Sequence, residues 1–294
     1  MRYEAPDTLD AAVALLAGAS GKANVLAGGT DILVQLRADM IEPTLLVDVK
    51  RIPEMMSIAA EDGGFRIGAA VPGAELGEHA ALKKAWPGVV EAAELIGSTQ
   101  IQGRASIGGN LCNGSPAADS VPALFVADAR ITIVGPNGKR EAPVAEIVTG
   151  PGKTSLAKGE IVVSIFLPAP PKHSSDAYLR FIPRTELDIA VVAAGISLIL
   201  DEGGICVQAR VALGAVAPCV LLVPEAGEAL VGSKLDDAAL DRMAVAASAA
   251  CRPIDDKRGT KAFRIKVAGV MARRAARIAY DRARAKDDKS AGRS

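Results

Sequence analysis

Two pairs of adjacent glycines are the residues of this chain whose type and spacing could do chemistry. Gly28-Gly29 follows the apolar Val25-Leu26, and Gly108-Gly109 follows Ile107; each pair leads toward a predicted helix. Because glycine has no Cβ, its backbone can approach a ligand closely and can adopt a positive φ. Exposed N–H groups in such turns, or at the start of a helix, form an anion site. Two such turns in one chain indicate a single ligand with two phosphates, held from both sides.

A simpler interpretation of the glycine pairs is also open. A Gly-Gly before a helix is often a tight turn, and here Thr30 or Asp31 could act as the N-cap. The two best-known phosphate cradles are absent, because no Gly-x-Gly-x-x-Gly follows a strand and no Gly-Lys-Ser/Thr follows either pair. The glycines alone therefore leave a phosphate site and a structural turn as alternatives.

A longer pattern surrounds and follows the second glycine pair. Gly97 to Ile101 leads to Ser106 to Leu111, and Ser115 to Ser120 comes next. The pattern continues in three later segments: Thr149 to Thr154, Arg184 to Ala190, and Pro253 to Gly259. In this combination and order, the chain resembles the FAD-binding medium subunit of the molybdenum hydroxylases over nearly its whole length. That family includes the carbon monoxide dehydrogenase medium chain and the flavin domain of xanthine dehydrogenase.

The resemblance implies a noncovalent FAD site built mainly from the two glycine segments. The backbone of Ala27 to Asp31 and of Ser106 to Asn110 should bind the pyrophosphate, with added hydroxyl donors from Thr30 and Ser106. We expect the Asp31 carboxylate to turn away from phosphate and cap the following helix. The implied FAD-binding residues are Leu26, Ala27, Gly28, Gly29, Thr30, Asp31, Ile101, Ser106, Ile107, Gly108, Gly109, Asn110, Asp119, Arg184 and Asp188.

Three of these residues have roles that come from the resemblance alone. Asp119 matches the acidic residue that accepts hydrogen bonds from FAD hydroxyls, although an acid beside Ser120 could simply serve a helix N-terminus. Arg184 and Asp188 match a third-lobe motif near the flavin, and a structural ion pair explains them as well. Both interpretations stay open for each residue.

Composition and charge exclude several function classes. The chain has 34 Lys and Arg, 34 Asp and Glu, and only 3% aromatic residues. This balance argues against a general polyanion binder, and the scarcity of aromatics argues against stacking on nucleic acid. No apolar run approaches the roughly 20 residues of a membrane helix, and the first residues lack the apolar core of a signal peptide. We therefore expect a cytoplasmic protein without membrane insertion.

The cysteines and histidines predict neither an iron–sulfur cluster nor a metal site. Four cysteines are scattered without a Cys-x-x-Cys, at positions 112, 206, 219 and 251. A cluster usually needs four thiolates at a recognised spacing, so these cysteines are interpreted as small buried hydrophobes. His79 and His173 are the only histidines, which makes a metal site improbable. Redox chemistry in this chain would then come from the flavin.

The predicted elements give an α+β fold in three parts. The elements predict an α/β lobe at 1–55 and an α+β lobe at 56–175, which the resemblance implies form a two-lobed FAD-binding fold of the PCMH type. A C-terminal α+β domain at 176–294 has a three-stranded sheet with helices and a basic tail. The last predicted helix, Phe263 to Arg284, carries an arginine run. That run fits either a solvated helix or contact with an acidic partner subunit.

The function implied by the resemblance is electron transfer within a larger complex. This chain would carry FAD, accept electrons from a small iron–sulfur subunit with [2Fe-2S] clusters, and pass them to an external acceptor. A large subunit with the molybdenum cofactor would oxidise the substrate, in a heterotrimer or a dimer of heterotrimers. Two alternatives stay open: a stand-alone noncovalent FAD oxidoreductase of related fold, and an assembly subunit without flavin. No residue of this chain is predicted to be catalytic in its own right.

Overall fold

The computed structural model describes residues 1–291, with the side chains of residues 1–285. Three main sheets and their helices make up the fold, in agreement with the α+β class expected from the sequence. The first sheet is parallel and has the order β1-β3-β2, and two helices connect its strands along the chain. Its elements are β1 (Arg2–Glu4), α1 (Leu9–Gly18), β2 (Ala23–Leu26), α2 (Ile32–Arg37) and β3 (Leu45–Asp48). The strand β3 is formed by Leu45–Asp48, all four residues of which are buried.

The second sheet is antiparallel, with the order β4-β5-β10-β6-β7. Its strands are β4 (Ile58–Glu61), β5 (Gly64–Gly68), β6 (Arg130–Gly135), β7 (Gly138–Pro143) and β10 (Ile161–Leu167). A hairpin turn at Pro136-Asn137-Gly138 joins β6 and β7. Between β5 and β6 lie six helices: α3 (Gly73–Glu78), α4 (Ala80–Ala85), α5 (Pro87–Glu94), α6 (Thr99–Gln102), α7 (Ile107–Cys112) and α8 (Ser120–Val126). A separate two-stranded ribbon is made by β8 (Val148–Gly150) and β9 (Lys153–Thr154).

The C-terminal sheet has four strands rather than the three expected. They are β11 (Ser174–Phe181), β12 (Val192–Leu200), β13 (Cys206–Gly214) and β14 (Leu221–Leu222), in chain order. The additional strand, β14, contains only two residues, which is too short for a hydrophobic pattern to reveal it. The accompanying helices are α9 (Pro224–Glu228), α10 (Asp237–Ala250) and α11 (Lys261–Ala291).

Two apolar cores hold these parts together. One core is continuous through the first two sheets and includes Val47, Ile67, Leu111 and Ile165, all fully or nearly fully buried. The other lies between the C-terminal sheet and its helices, around Ile196 and the alanine-rich face of α11. Because the first core joins the first two sheets, their relative position is fixed by packing.

The arginines of α11 have acidic partners within the chain. Arg273 contacts Asp237 and Asp241, and Arg282 contacts Glu91 on α5. These pairs explain much of the charge run without a partner subunit. The end of the predicted basic tail lies outside the described residues. Within residues 1–291, no helix has the length and apolar character needed to cross a bilayer.

Candidate cofactor-binding cleft

Both glycine pairs line one cleft, as the sequence predicts. The cleft has a volume of about 480 Å³ and is lined by Gly28, Gly29, Gly108 and Gly109, with Gly152 and Thr154 also in its wall. Small-molecule sites commonly occupy about 300–1,000 Å³. The structure therefore brings together two segments that lie about eighty residues apart in the chain, at the size of a ligand site.

The first glycine segment connects β2 to α2, and its two glycines have different tasks. Gly29 has a φ of +85°, a conformation that side chains with a Cβ resist. A Cβ on Gly28 would lie 1.9 Å from the carbonyl oxygen of Arg104, two residues before Ser106. Gly28 is thus required because the two segments pack backbone against backbone, a reason that the sequence alone does not reveal.

The backbone N–H groups of the first segment are available to a ligand. Within the described residues, the N–H groups of residues 27–32 donate no hydrogen bond to a protein acceptor. The first N–H groups of a helix have no partner within the helix, so these groups need water or an anion. The Thr30 hydroxyl likewise has no partner among the described side chains and lies in the cleft wall. This part of the cleft therefore offers hydrogen-bond donors to a ligand.

The expectation for Asp31 is wrong in one respect. Asp31 precedes α2 at the N-cap position but makes no side-chain capping bond, because its backbone is already helical (φ −96°, ψ −49°) rather than extended. Asp31 is exposed at the cleft, and desolvation by the surrounding protein raises the pKa of its carboxyl. A pyrophosphate nearby would raise that pKa further, since like charges disfavour ionisation.

The second glycine pair lies within a helix and not in a turn before it. Ser106 is the N-cap of α7, and its Oγ accepts from the Gly109 N–H at 3.0 Å. The hydroxyl keeps its own proton to donate. A Cβ on Gly108 would lie 2.4 Å from the Ala69 carbonyl oxygen, whereas one on Gly109 meets only Ser106 Oγ, at 3.1 Å. Gly109 is therefore the glycine of this pair that opens onto the cleft.

Two side-chain links involve residues that line the cleft, and neither was predicted from the sequence. Gln35 on α2 donates to Asn113 at 3.2 Å, across 78 positions of sequence. Asn110 accepts from the N–H and the hydroxyl of Ser120 at 3.0 and 2.7 Å, which ties α7 to α8. Neither pair has a local sequence signal, because each depends on the tertiary approach of separate helices.

Some predicted site residues support the cleft from behind. Leu26 and Ile107 are buried, and Leu26 lies under Gly29, whose Cβ would contact it at 3.1 Å. Ile101 packs against Gly97, which has a φ of +66°. None of these three lines the cleft. Their side chains hold the segments in place.

Asp119 lies outside the cleft lining, in a buried cluster. Its carboxylate accepts from Arg180 at 2.8 Å and from the Tyr178 hydroxyl at 3.1 Å, which connects α8 to β11. Burial raises the pKa of Asp119, although Arg180 opposes the shift. Both carboxylate oxygens thus have protein partners, and neither partner was predicted from the sequence.

Arg184 and Asp188 also lie outside the cleft lining, on the connection between β11 and β12. Asp188 accepts from Arg258 at 2.9 Å, and Arg184 approaches it at 3.5 Å. The Arg258 hydrogen bond lowers the pKa of Asp188. The pair therefore forms the ion pair that the sequence left open, and it joins two motif segments of the C-terminal domain.

The chemistry of the cleft fits the pyrophosphate of FAD. Its donors are backbone N–H groups and hydroxyls, and the acidic Glu160 in its wall is paired with Arg140 at 2.7 and 2.8 Å. Cys112 also lines the cleft, where burial raises the pKa of its thiol to about 12, so the unreactive thiol form persists. Within the described residues, no group of three or more His, Cys, Asp or Glu side chains is placed to hold a metal ion.

Comparison with known proteins gives the same assignment. Residues 1–170 match the family model described as the FAD binding domain in molybdopterin dehydrogenase. Residues 177–279 match that of the CO dehydrogenase flavoprotein C-terminal domain.

Similar proteins extend over nearly the whole chain. The carbon monoxide dehydrogenase medium chain of Afipia carboxidovorans is 35% identical, over 96% of this chain and 97% of that protein. The xanthine dehydrogenase FAD-binding subunit of Escherichia coli O157:H7 is 32% identical, over 92% of this chain and 93% of that protein. The solved structure of the carbon monoxide dehydrogenase of Hydrogenophaga pseudoflava gives a TM-score of 0.92 at 32% identity. The match covers 96% of this chain and 98% of that chain. The chain therefore belongs to the FAD-binding medium subunits of the molybdenum hydroxylases, and it is a flavoprotein oxidoreductase subunit.

Proposed function

We propose that this chain carries one noncovalent FAD and transfers electrons within a molybdenum hydroxylase complex. The observation that carries the proposal is the pairing of two N–H-rich segments, residues 27–32 and the start of α7, on one cleft. Partly positive N–H groups from both sides suit a pyrophosphate, which carries charge on two neighbouring phosphates. Membership of the flavoprotein family supports FAD as the dinucleotide.

The chain's own residues bind and orient the cofactor in this proposal. The segments 27–31 and 106–110 surround the pyrophosphate. Its backbone donors are the N–H groups of the first segment and of Gly108, because the N–H groups of Gly109 and Asn110 already donate to Ser106. The hydroxyls of Thr30 and Ser106 add two donors. Asp119, Arg184 and Asp188 stay in the proposed site. Each of them would have to contact the cofactor while it keeps its hydrogen bonds or ion pairs within the protein. When bound, FAD supplies redox chemistry that takes electrons from an iron–sulfur centre and delivers them to an external acceptor.

The proposed partners are a small subunit with [2Fe-2S] clusters and a large subunit with the molybdenum cofactor. The names of the related proteins support such an assembly, because they describe a medium chain and an FAD-binding subunit. We further propose that the chain divides at residues 1–55, 56–175 and 176–294. The three main sheets support three parts, although β11 begins at Ser174, two residues before the proposed third part. The heterotrimer would place substrate oxidation on the large subunit.

A comparison of the isolated chain with the assembled complex tests this function. The FAD-loaded chain alone should fail to oxidise purines, aldehydes, aromatic heterocycles or carbon monoxide, yet should reduce a dye with an artificial electron donor. Copurification with the iron–sulfur and molybdenum subunits should restore substrate turnover. Turnover of an organic substrate by the isolated chain at about 1 per second or more, a rate usual for enzymes, would instead support a stand-alone flavoenzyme.

A further inference from the structure

Protein donors hold three successive carbonyl groups of the first glycine segment. The Lys50 ammonium donates to the Ala27 carbonyl oxygen at 2.9 Å. Arg104 Nε approaches the Gly28 carbonyl oxygen at 3.4 Å, and the Leu33 N–H donates to the Gly29 carbonyl oxygen at 3.1 Å. All three oxygens, which would repel a phosphate, are thus occupied by protein groups.

A hydrogen bond that fixes a backbone carbonyl group also fixes the direction of the N–H group of the following residue. In a planar trans peptide, the C=O and the N–H of the following residue point in opposite directions. The peptide bonds in the chain contain no cis forms among the described residues. The contact from Lys50 to Ala27 therefore directs the Gly28 N–H away from Lys50, and Gly28 lines the cleft while Lys50 does not.

Lys50 is itself fixed by two residues at the end of the parallel sheet. Its ammonium donates to Asp48 Oδ1 at 2.7 Å, and the Tyr3 hydroxyl donates to Asp48 Oδ2 at 2.7 Å. Burial alone would raise the pKa of Asp48, but the hydrogen bonds from Lys50 and Tyr3 lower it, so the carboxylate is ionised. The charge of Lys50 is thus balanced within the protein. The lysine acts on the peptide group and not on a ligand.

We propose that Lys50, held by Asp48 and Tyr3, is a positioning residue that presents the Gly28 N–H to the cofactor pyrophosphate. The inference rests on the proposed FAD function and deepens it. Loss of the ammonium frees the Ala27–Gly28 peptide to rotate, which weakens a donor to a charged group. A direct contact between lysine and phosphate would give a different salt dependence, because exposed charges are screened by salt.

FAD titration of the purified full chain tests the proposal, using Lys50→Met and, as control, Lys84→Met at an exposed lysine of α4. Lys50→Met should raise the Kd for FAD about tenfold, the loss of roughly one charge-assisted hydrogen bond. Its ionic-strength dependence should equal that of the wild type. The ³¹P resonances of bound FAD should shift in Lys50→Met and stay unchanged in Lys84→Met. Lys50→Arg, which keeps a donor, should restore much of the affinity.

Several outcomes would overturn the inference. An unchanged Kd and unchanged ³¹P resonances in Lys50→Met would show that the lysine does not position the segment. A weaker salt dependence in that variant would show direct charge contact with phosphate. If Lys50→Met does not fold, Tyr3→Phe should show a smaller ³¹P shift in the same direction, and its absence would count against the proposal. A wild-type chain that binds no FAD would instead contradict the proposed function.

Discussion

Valine at position 109 should expel FAD from the cleft and leave the chain folded. A Cβ at Gly109 meets only Ser106 Oγ, at 3.1 Å, and the added methyl groups extend into the cleft. Displacing one hydrogen bond to a charged phosphate costs about 1.5–3 kcal/mol, which raises the Kd about 10- to 100-fold. Valine is no worse than glycine in a helix, so the free energy of unfolding should change by less than about 1 kcal/mol.

The reasoning makes the opposite prediction for Gly28. Its added Cβ would lie 1.9 Å from the Arg104 carbonyl oxygen, so Gly28→Ala should lower the free energy of unfolding by about 1–3 kcal/mol through overpacking. Gly18→Ala, at a position with no atom within 4 Å of the added Cβ, is the neutral control.

Flavin fluorescence titration gives the Kd for FAD of each variant, and urea unfolding gives its free energy of unfolding. Wild-type FAD affinity in Gly109→Val would refute the assigned approach of the pyrophosphate.

Two ion pairs give predictions about stability. Asp119→Ala leaves Arg180, whose side chain is 5% exposed, without its acid, and should lower the free energy of unfolding by about 3–5 kcal/mol. Asp241→Ala on α10, whose side chain is 68% exposed, should lower it by less than about 1 kcal/mol. Equal urea midpoints for these two variants would contradict that. The hydrogen bond from Arg140 lowers the pKa of Glu160 to about 2. The ion pair therefore contributes its full stability above the ordinary glutamate pKa of about 4.3, and this stability is lost as the pH falls toward 2. Urea unfolding between those pH values should show a shallower fall for Glu160→Gln than for the wild type, and parallel curves would exclude the effect.

The local parts of the site could be predicted from the sequence. The two glycine pairs and the Ser106 cap act on their immediate neighbours, so short-range chemistry suffices to find them. The hairpin from β6 to β7 was predictable for the same reason, since Asn137-Gly138 is a turn signal directly after the apolar strand β6. Even the joint cleft followed once both pairs were taken as anion sites.

The contacts that order the cleft could not be predicted in this way. Lys50 has no sequence signal that relates it to Ala27, 23 positions earlier, because the contact arises where β2 and β3 end side by side. The partners of Asp119 come from β11, about sixty residues later. Asp31 follows a good N-cap pattern, yet helical backbone at that residue prevents the bond. Tertiary packing decides each of these cases.

The flavin content of the purified chain tests the central claim most directly. Acid precipitation followed by chromatography of the supernatant identifies the flavin and gives its amount per chain. The account predicts one FAD per chain, all of it in the supernatant, and a matching loss in Gly109→Val. Flavin retained in the pellet, FMN in place of FAD, or a wild-type chain that cannot be loaded with FAD would contradict it.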